Sequence, residues 1–201
     1  SVLTLVLEYM TRKDKGFYYI DSHSGAGMYS LEDEYAQKTS EYKDGIAKLI
    51  AEKDTPEALE PYIELIKSLN DHSELNLYPG SPGIAKQFVR RQDSSHLFEL
   101  HPTDIEHLTI FCQRWNKSHV KQSDGYKGIL SLIPPPSRRG VVLIDPPYEL
   151  KTEHDDAIRG IKDSHKKFAT GIYALWYPMV SRAQVTRFCQ KFADQGIRNI
   201  L

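Results

Sequence analysis

Short runs rich in apolar residues alternate along the chain with segments whose apolar positions recur at helical spacing. The runs are Phe17–Ile20, His96–Leu100, Gly140–Asp145 and Gly171–Tyr177, with His119–Gln122 as a shorter fifth candidate. Helical patterns follow four of them, at about 103–115, 125–132, 155–166 and 181–194. This alternation predicts an α/β fold with an open, mostly parallel sheet covered by helices on both faces.

The stretch between the first strand and the next is longer than a single crossover connection needs. Apolar positions at helical spacing occur in Glu41–Glu52 and again in Pro56–Leu69. The segment Tyr78–Pro82 then stops the chain sharply and predicts a helix from Pro82 to about Arg91. We therefore predict one domain over residues 1–201 with a helical insertion at about 30–75.

Composition narrows the class of protein. The 201 residues include 26 Lys and Arg, 27 Asp and Glu and 40% hydrophobic residues, which excludes a disordered tail and a strongly basic DNA-coating protein. No apolar run approaches the roughly 20 residues that span a bilayer, so we expect a cytoplasmic protein without membrane contact. Cys112 and Cys189 both lie in helical patterns and are expected to be small buried hydrophobes.

The clearest chemical motif is Asp145-Pro146-Pro147-Tyr148, at the carboxyl end of an apolar strand. Open α/β sheets bind ligands at this edge. Two prolines remove two backbone donors and keep the chain extended, so their carbonyls stay available as acceptors beside the Asp145 carboxylate. These acceptors can take both hydrogens of an exocyclic amine, while Tyr148 offers a face for base stacking. The alternative is that Pro-Pro ends the strand and Asp145 caps the next helix.

A glycine-rich turn follows the first strand. Asp21, Gly25 and Gly27 are spaced so that the backbone can approach a nucleotide-like ligand, and His23 lies within the same turn. A third glycine and a Gly-Lys-Ser/Thr sequence are both missing, so the turn favours neither NAD nor a nucleoside triphosphate.

Two more acidic residues follow strands. Glu99 occupies the position at which such folds bind ribose hydroxyls, and Asp124-Gly125 is suited to a base amine. A surface carboxylate and an ordinary turn are the alternatives. The histidines and cysteines lack zinc-ligand spacing, so we predict no metal. A metal-dependent nuclease would need these acids to converge, and their places at separate strand ends fit a ligand-lining series better.

Pairs of basic residues occur at Arg90-Arg91, Arg138-Arg139 and Lys166-Lys167. Phosphate contacts and simple solvated faces remain equally good interpretations of these pairs, since the net charge of the chain is only -1.

Taken together, six segments make the chain similar to a known family. They are Asp21–Tyr29, Tyr78–Pro82, Phe98–Pro102, Ser137–Gly140, Asp145–Glu149 and Phe168–Pro178. In this order they resemble the ribosomal RNA large subunit methyltransferase J family, whose members methylate an adenine N6 of 23S ribosomal RNA. The resemblance implies a Rossmann-like class I fold, S-adenosylmethionine as methyl donor and 23S ribosomal RNA as the partner of a monomeric enzyme.

The resemblance also implies roles for individual residues. Asp145 would engage the target amine as the catalytic residue, next to Pro146, Pro147 and Tyr148 in the substrate site. The cofactor site would comprise His23, Ser81, Glu99, Asp124 and Gly125, and the glycine-rich turn adds Asp21, Gly25 and Gly27 to it. Because the family has a basic N-terminal segment and further C-terminal strands, we expect this chain, which starts at Ser1 and stops at Leu201, to lack both.

Three other functions stay open at this point. A DNA adenine or cytosine methyltransferase would share Asp145-Pro146-Pro147-Tyr148, and a role in the catabolism of external DNA is also compatible with the sequence. A nucleic-acid-binding module on a decayed methyltransferase fold would bind RNA independently of cofactor and of Asp145.

Overall fold

The computed structural model describes residues 1–32, 42, 45–52, 54–70, 75–150, 152–178, 182–194 and 197. In chain order the strands are β1 (Tyr18–Asp21), β2 (Met28–Ser30), β3 (Leu77–Pro79), β4 (Ser94–Glu99), β5 (Ser118–Gln122), β6 (Gly140–Ile144) and β7 (Ile172–Leu175). The helices are α1 (Val2–Thr11), α2 (Ile46–Ala51), α3 (Glu60–Ser68), α4 (Ser81–Phe88), α5 (Pro102–Cys112), α6 (Gly125–Leu132), α7 (Glu153–Lys167) and α8 (Arg182–Asp194). A 3-10 turn, Glu57–Leu59, precedes α3.

Five strands form one parallel sheet in the order β5-β4-β1-β6-β7. The chain moves outward from β1 through β4 to β5, then crosses back to β6 on the other side of β1. This reversal opens a crevice between the carboxyl ends of β1 and β6, where sheets of this kind bind ligands. The predicted α/β fold of the Rossmann-like type is confirmed.

The core lies on both faces of the sheet because successive strand residues point to opposite sides. On one face, Val141 and Leu143 belong to the cluster that includes α1, α3, α4 and α5; on the other, Val142 and Ile144 belong to the cluster that includes α6, α7 and α8. Every residue of β6 is buried. This double burial explains the uninterrupted apolar run that the sequence shows before Asp145.

Helix α1 and the small antiparallel β2–β3 sheet were not predicted from the sequence. Helix α1 buries Leu3, Leu7 and Met10 along one face, and Ser1 caps its first turn, so its signal was present in the sequence. This two-stranded sheet has only three residues per strand and pairs Met28 with Pro79. Strands this short carry too little alternation to be recognised without their partner.

The end of one helix and the exposure of one cysteine differ from expectation. Helix α4 ends at Phe88 because Val89 is extended and Arg90 bonds to Asp93 in a turn. Cys112 is buried as expected, but the expectation for Cys189 was wrong, since it lies on the exposed side of α8. Helices α2 and α3 lie within the insertion expected at about 30–75, while residues 33–41, 43–44, 53 and 71–74 lie outside the described part of the chain. One domain over residues 1–201 with this insertion stays a prediction.

No described helix is long and apolar enough to span a membrane.

Candidate functional site

Asp21 is a buried carboxylate that joins several parts of the site by hydrogen bonds. It ends β1 with no exposed surface and accepts hydrogen bonds from the Tyr19 hydroxyl at 2.8 Å and the Ser81 hydroxyl at 2.6 Å. The His23 amide donates to its second carboxylate oxygen at 3.3 Å. Burial, followed by the nearby charge of Asp145, raises the pKa of Asp21 to about 6 despite these donors. Asp21 therefore fixes the start of α4 against the glycine-rich turn.

The glycine-rich turn has the backbone conformation that its sequence predicts. Gly25 and Gly27 adopt φ angles of 57° and 83°, in the left-handed region that favours glycine. A side chain on Gly27 would also lie within 2.9 Å of Phe111. Both positions thus require glycine, and the turn exposes its backbone at the carboxyl edge of the sheet.

Glu99 is tied to this turn by its carboxylate. One oxygen accepts the Gly25 amide at 2.8 Å, and the other accepts the amides of Leu100 and His101 at 2.7 Å each. A carboxylate offers about four lone-pair positions, so roughly one remains on the oxygen that Gly25 uses. Glu99 can therefore accept one further hydroxyl donor at the mouth of the crevice.

Asp124 and Gly125 shape the neighbouring wall. The Asp124 carboxylate caps α6 by accepting the Lys127 amide at 3.2 Å, a structural role that the sequence analysis did not assign to it. A Cβ on Gly125 would lie 2.1 Å from the Ser22 carbonyl oxygen. Gly125 is thus required for the close approach of α6 to the end of β1, whether or not a ligand is bound.

His23 lies between the glycine-rich turn and α6. Its Nδ1 is 2.7 Å from the Ser22 hydroxyl, which also donates to the Leu143 carbonyl at 3.1 Å. The ring meets Tyr126 edge to face at 5.3 Å between centroids. Burial lowers the pKa of His23, so the imidazole is held neutral. Among the described residues, the buried hydroxyl of Tyr126 has no hydrogen-bond partner.

Among the described residues, Asp145 differs from Asp21 in having no hydrogen-bond partner. It is half-buried at the end of β6, and within the described part of the chain no hydrogen bond or ion pair engages its carboxylate. Desolvation by burial raises its pKa to about 6. An ionised acceptor at the crevice, kept partly from water and not used by the fold, is suited to a ligand's hydrogen-bond donor.

Aromatic side chains line the outer side of Asp145. Pro146 is buried and Pro147 exposed, while Tyr148 has a left-handed φ of 56° and donates its hydroxyl to the Trp176 carbonyl at 2.7 Å. The Tyr148 ring centroid lies 4.6 Å from that of His154 and 6.1 Å from that of Trp176. Trp176 is 55% exposed. These rings form a platform beside the carboxylate.

The structure therefore brings the predicted site residues together at one edge of the sheet. Ser81 bonds to Asp21, Gly25 bonds to Glu99, and the negative charges of Asp21 and Asp145 interact. Sequence reasoning gave no role to Tyr19, Tyr126 or Trp176, which support or line the site. Among the described residues, no three His, Cys, Asp or Glu side chains are grouped so as to hold a metal ion.

A family model described as "Ribosomal RNA large subunit methyltransferase D, RlmJ" matches residues 14–201 of the chain. Two curated relatives are similar over all 201 residues, which cover 72% of each relative. They are named Ribosomal RNA large subunit methyltransferase J, from Escherichia coli (46% identity) and Haemophilus influenzae (45% identity).

A solved structure shares the fold over nearly the whole chain. The crystal structure of a Legionella pneumophila protein is 39% identical in sequence and superposes with a TM-score of 0.87. The match covers 96% of this chain and 71% of that protein.

Proposed function

The chain belongs to the ribosomal RNA large subunit methyltransferase J family and is an rRNA methyltransferase, and we propose that it methylates the N6 amine of an adenine in 23S ribosomal RNA. The observation that carries this proposal is the Asp145 carboxylate, half-buried and unpartnered among the described residues at the β1–β6 crevice. Two proline carbonyls and an aromatic platform adjoin it. This set of groups suits a planar base that carries an amine.

The opposite wall of the crevice fits S-adenosylmethionine, which supplies an electrophilic methyl group when bound. The glycine-rich turn leaves backbone exposed, Glu99 retains a lone pair for a ribose hydroxyl, and His23 is held neutral beside it. Asp124 has one carboxylate oxygen, Oδ2, that accepts no hydrogen bond among the described residues and is 3.8 Å from Lys127 Nζ. We assign these residues, with Asp21, Gly25, Gly27, Ser81 and Gly125, to the cofactor site.

Asp145 is the catalytic residue of this proposal. Its carboxylate and the Pro146 carbonyl accept the two amine hydrogens, which turns the nitrogen lone pair toward the methyl group. As the N6–carbon bond forms and the sulfur–carbon bond breaks, one N6 proton passes to Asp145. A carboxylate whose pKa is raised to about 6 is ionised at neutral pH and is a stronger base than an ordinary aspartate. No covalent enzyme intermediate is required.

Base stacking on Tyr148 predicts a graded effect of substitution. Tyr148→Ala removes the stacking face, and because base–aromatic stacking contributes about 1–3 kcal/mol, we expect KM for RNA to rise roughly 5- to 160-fold. Tyr148→Phe keeps the ring and loses only the hydroxyl bond to the Trp176 carbonyl, so its KM should rise less than about fivefold. Steady-state kinetics on one RNA measures both, and equal effects of the two variants would contradict stacking.

The raised pKa of Asp145 predicts an acid limit to activity. Below about pH 6 the carboxylate is protonated and loses its role as acceptor and base, so kcat/KM should fall about tenfold per pH unit. Asp21 titrates in the same range, but its raised pKa stabilises the fold as pH decreases through about 6, so its protonation does not cause unfolding.

Cofactor binding measured over the same pH range distinguishes the effect of protonating Asp145 from that of protonating Asp21. Binding should persist where turnover fails if Asp145 is responsible. A rate that stays constant down to pH 4.5 would contradict the assignment.

Parallel methyl-transfer assays on different nucleic acids test the proposed function against its alternatives. Full-length protein receives labelled S-adenosylmethionine with protein-free 23S rRNA, with a 16S rRNA control or with double-stranded DNA. We expect transfer to 23S rRNA alone. Transfer to DNA alone would favour a DNA amino-methyltransferase. RNA binding without transfer, unchanged by cofactor and by Asp145→Ala, would favour a non-catalytic binding module.

A further inference from the structure

Positive charge is concentrated in the turns that lead into the strands. Nine Lys and Arg residues lie between a preceding helix and the start of β1, β4, β5 or β6: Arg12, Lys13, Lys15, Arg90, Arg91, Arg114, Lys117, Arg138 and Arg139. The same turns contain two acidic residues, Asp14 and Asp93, and Asp93 is paired with Arg90 at 2.9 Å. We call these nine residues the basic edge. Since the whole chain has a net charge of -1, this concentration does not follow from composition.

A cleft of about 440 Å³ opens within the basic edge. Arg12, Lys13, Arg138 and Arg139 line it, together with Tyr9 and Thr170 among others, and no acidic residue contributes to the lining. Four cationic side chains around one concave surface attract an anion, and phosphate is the anion that arginine forks recognise best.

The basic edge is held in shape by its own backbone contacts. Arg90 donates to the carbonyls of Thr11 and Lys13 at 2.9 and 3.0 Å. From the other side, Arg139 donates to the carbonyl of Met10 at 2.8 Å and to that of Lys15. The turn before β1 is therefore fixed between two guanidinium groups.

Other cations of the basic edge remain available for a ligand. Arg12, Lys13 and Arg138 are exposed, and within the described part of the chain no hydrogen bond or ion pair engages the side chains of Lys13 and Arg138. Neighbouring strands lie about 4.8 Å apart, so turns before four strands span about 15 Å. That span faces several consecutive phosphates of one nucleic-acid strand.

The carboxyl edge, in contrast, is acidic. It carries Asp21, Glu99, Asp124 and Asp145, and none of the described residues in its turns is Lys or Arg. The described residues of these turns thus offer no Lys or Arg to phosphates near the target base. Strand β6 has five residues, so the basic edge lies about 17 Å from Asp145. An RNA longer than a few nucleotides can extend over this distance.

We propose that the basic edge binds the phosphate backbone of the RNA substrate away from the target adenine. The proposal rests on the proposed function for the identity of the nucleic acid. The basic edge supplies affinity without sequence selection, while the Asp145 edge selects the base. It follows that a long RNA contacts both the basic edge and the Asp145 edge. A short oligonucleotide that carries the target adenine contacts only the Asp145 edge.

The test compares two double variants of the full-length protein that lose the same charge. Lys13→Gln/Arg138→Gln removes two cleft cations, and Lys67→Gln/Lys162→Gln removes two exposed lysines from α3 and α7. Affinity for a long 23S rRNA fragment and for a short target oligonucleotide is measured by fluorescence anisotropy at several salt concentrations. Binding of S-adenosylmethionine and thermal unfolding provide the check on folding.

We expect the cleft variant to bind the long RNA about three- to tenfold more weakly at low salt. Its plot of log affinity against log salt should flatten by about 0.7–0.9 for each lost phosphate contact. The short oligonucleotide and the control variant should show no change. On the long RNA, KM should rise while kcat stays constant.

Equal affinities of the cleft and control variants for the long RNA would overturn the proposal and leave the cleft to an acidic protein partner. Because anisotropy does not depend on turnover, this result is distinct from failure of the proposed function, which would appear as absent methyl transfer by the unsubstituted protein.

Discussion

Asp145→Ala should lower kcat for methyl transfer by about 10²–10⁴-fold, the range that positioned acid–base groups contribute. The variant loses both the acceptor that orients the amine and the base that takes its proton. Among the described residues Asp145 makes no hydrogen bond or ion pair, so its removal costs the fold little. Single-turnover transfer to 23S rRNA measures the change, with binding of S-adenosylmethionine and RNA expected to stay within about threefold.

Asp145→Asn separates the two roles of the carboxylate. Its amide oxygen still accepts a hydrogen bond but does not take a proton at neutral pH. We expect a rate between those of the alanine variant and the unsubstituted protein, without the acid limit near pH 6. Full activity of Asp145→Ala would contradict the catalytic assignment.

Gly125→Ala should damage the fold and the cofactor site together. The new Cβ would lie 2.1 Å from the Ser22 carbonyl oxygen and 2.6 Å from the Ser22 Cα, both of which are backbone atoms that cannot rotate away. Helix α6 must therefore move from the end of β1. We expect a loss of about 1–3 kcal/mol in the free energy of unfolding, by analogy with overpacked cores. Denaturant unfolding measures this loss, and calorimetry should show at least roughly tenfold weaker binding of S-adenosylmethionine.

Gly140→Ala is the matched control for this prediction. Gly140 begins β6, and a Cβ there would lie 3.3 Å from Cε1 of Phe168, a side-chain atom that can shift by a few tenths of an ångström. Its cost should be below about 1 kcal/mol, with cofactor affinity unchanged. Equal destabilisation by both substitutions would contradict a specific clash at Ser22.

The parallel sheet could be predicted because an inner strand, β6, is buried on both faces. Every residue of β6 is buried and four of its five belong to the two core clusters, so its apolar run stands out before the polar Asp145. Helix α6 was predicted at 125–132, the residues it occupies, because the helical pattern there follows a short strand. Helix α1 carried a comparable signal in Ser1 and its buried leucines but was not predicted.

The site could be predicted only as a set of strand ends. Because parallel strands end at one edge, Asp21, Glu99, Asp124 and Asp145 had to lie near one another. Their individual bonds were beyond the sequence: Asp21 accepts from Ser81, 60 positions away, and Glu99 accepts from Gly25, 74 positions away. Such contacts depend on side-chain packing rather than on local pattern.

The basic edge, like the bonds of the site, could not be predicted from the sequence alone. Arg90-Arg91 and Arg138-Arg139 could not be told from solvated pairs while their neighbours were unknown. Only the sheet order places the turns before β4, β1 and β6 side by side, and only the fold lets Arg90 and Arg139 bracket the turn before β1.

The most direct test of the central claim is the identity of the methylated nucleoside. Protein-free 23S rRNA is incubated with labelled S-adenosylmethionine and either the full-length protein or its Asp145→Ala variant, then digested to nucleosides and resolved by chromatography with mass detection. We predict that label co-elutes with N6-methyladenosine for the unsubstituted protein and is reduced at least about a hundredfold for the variant. Label in another nucleoside, or equal N6-methyladenosine from the variant, would contradict the account.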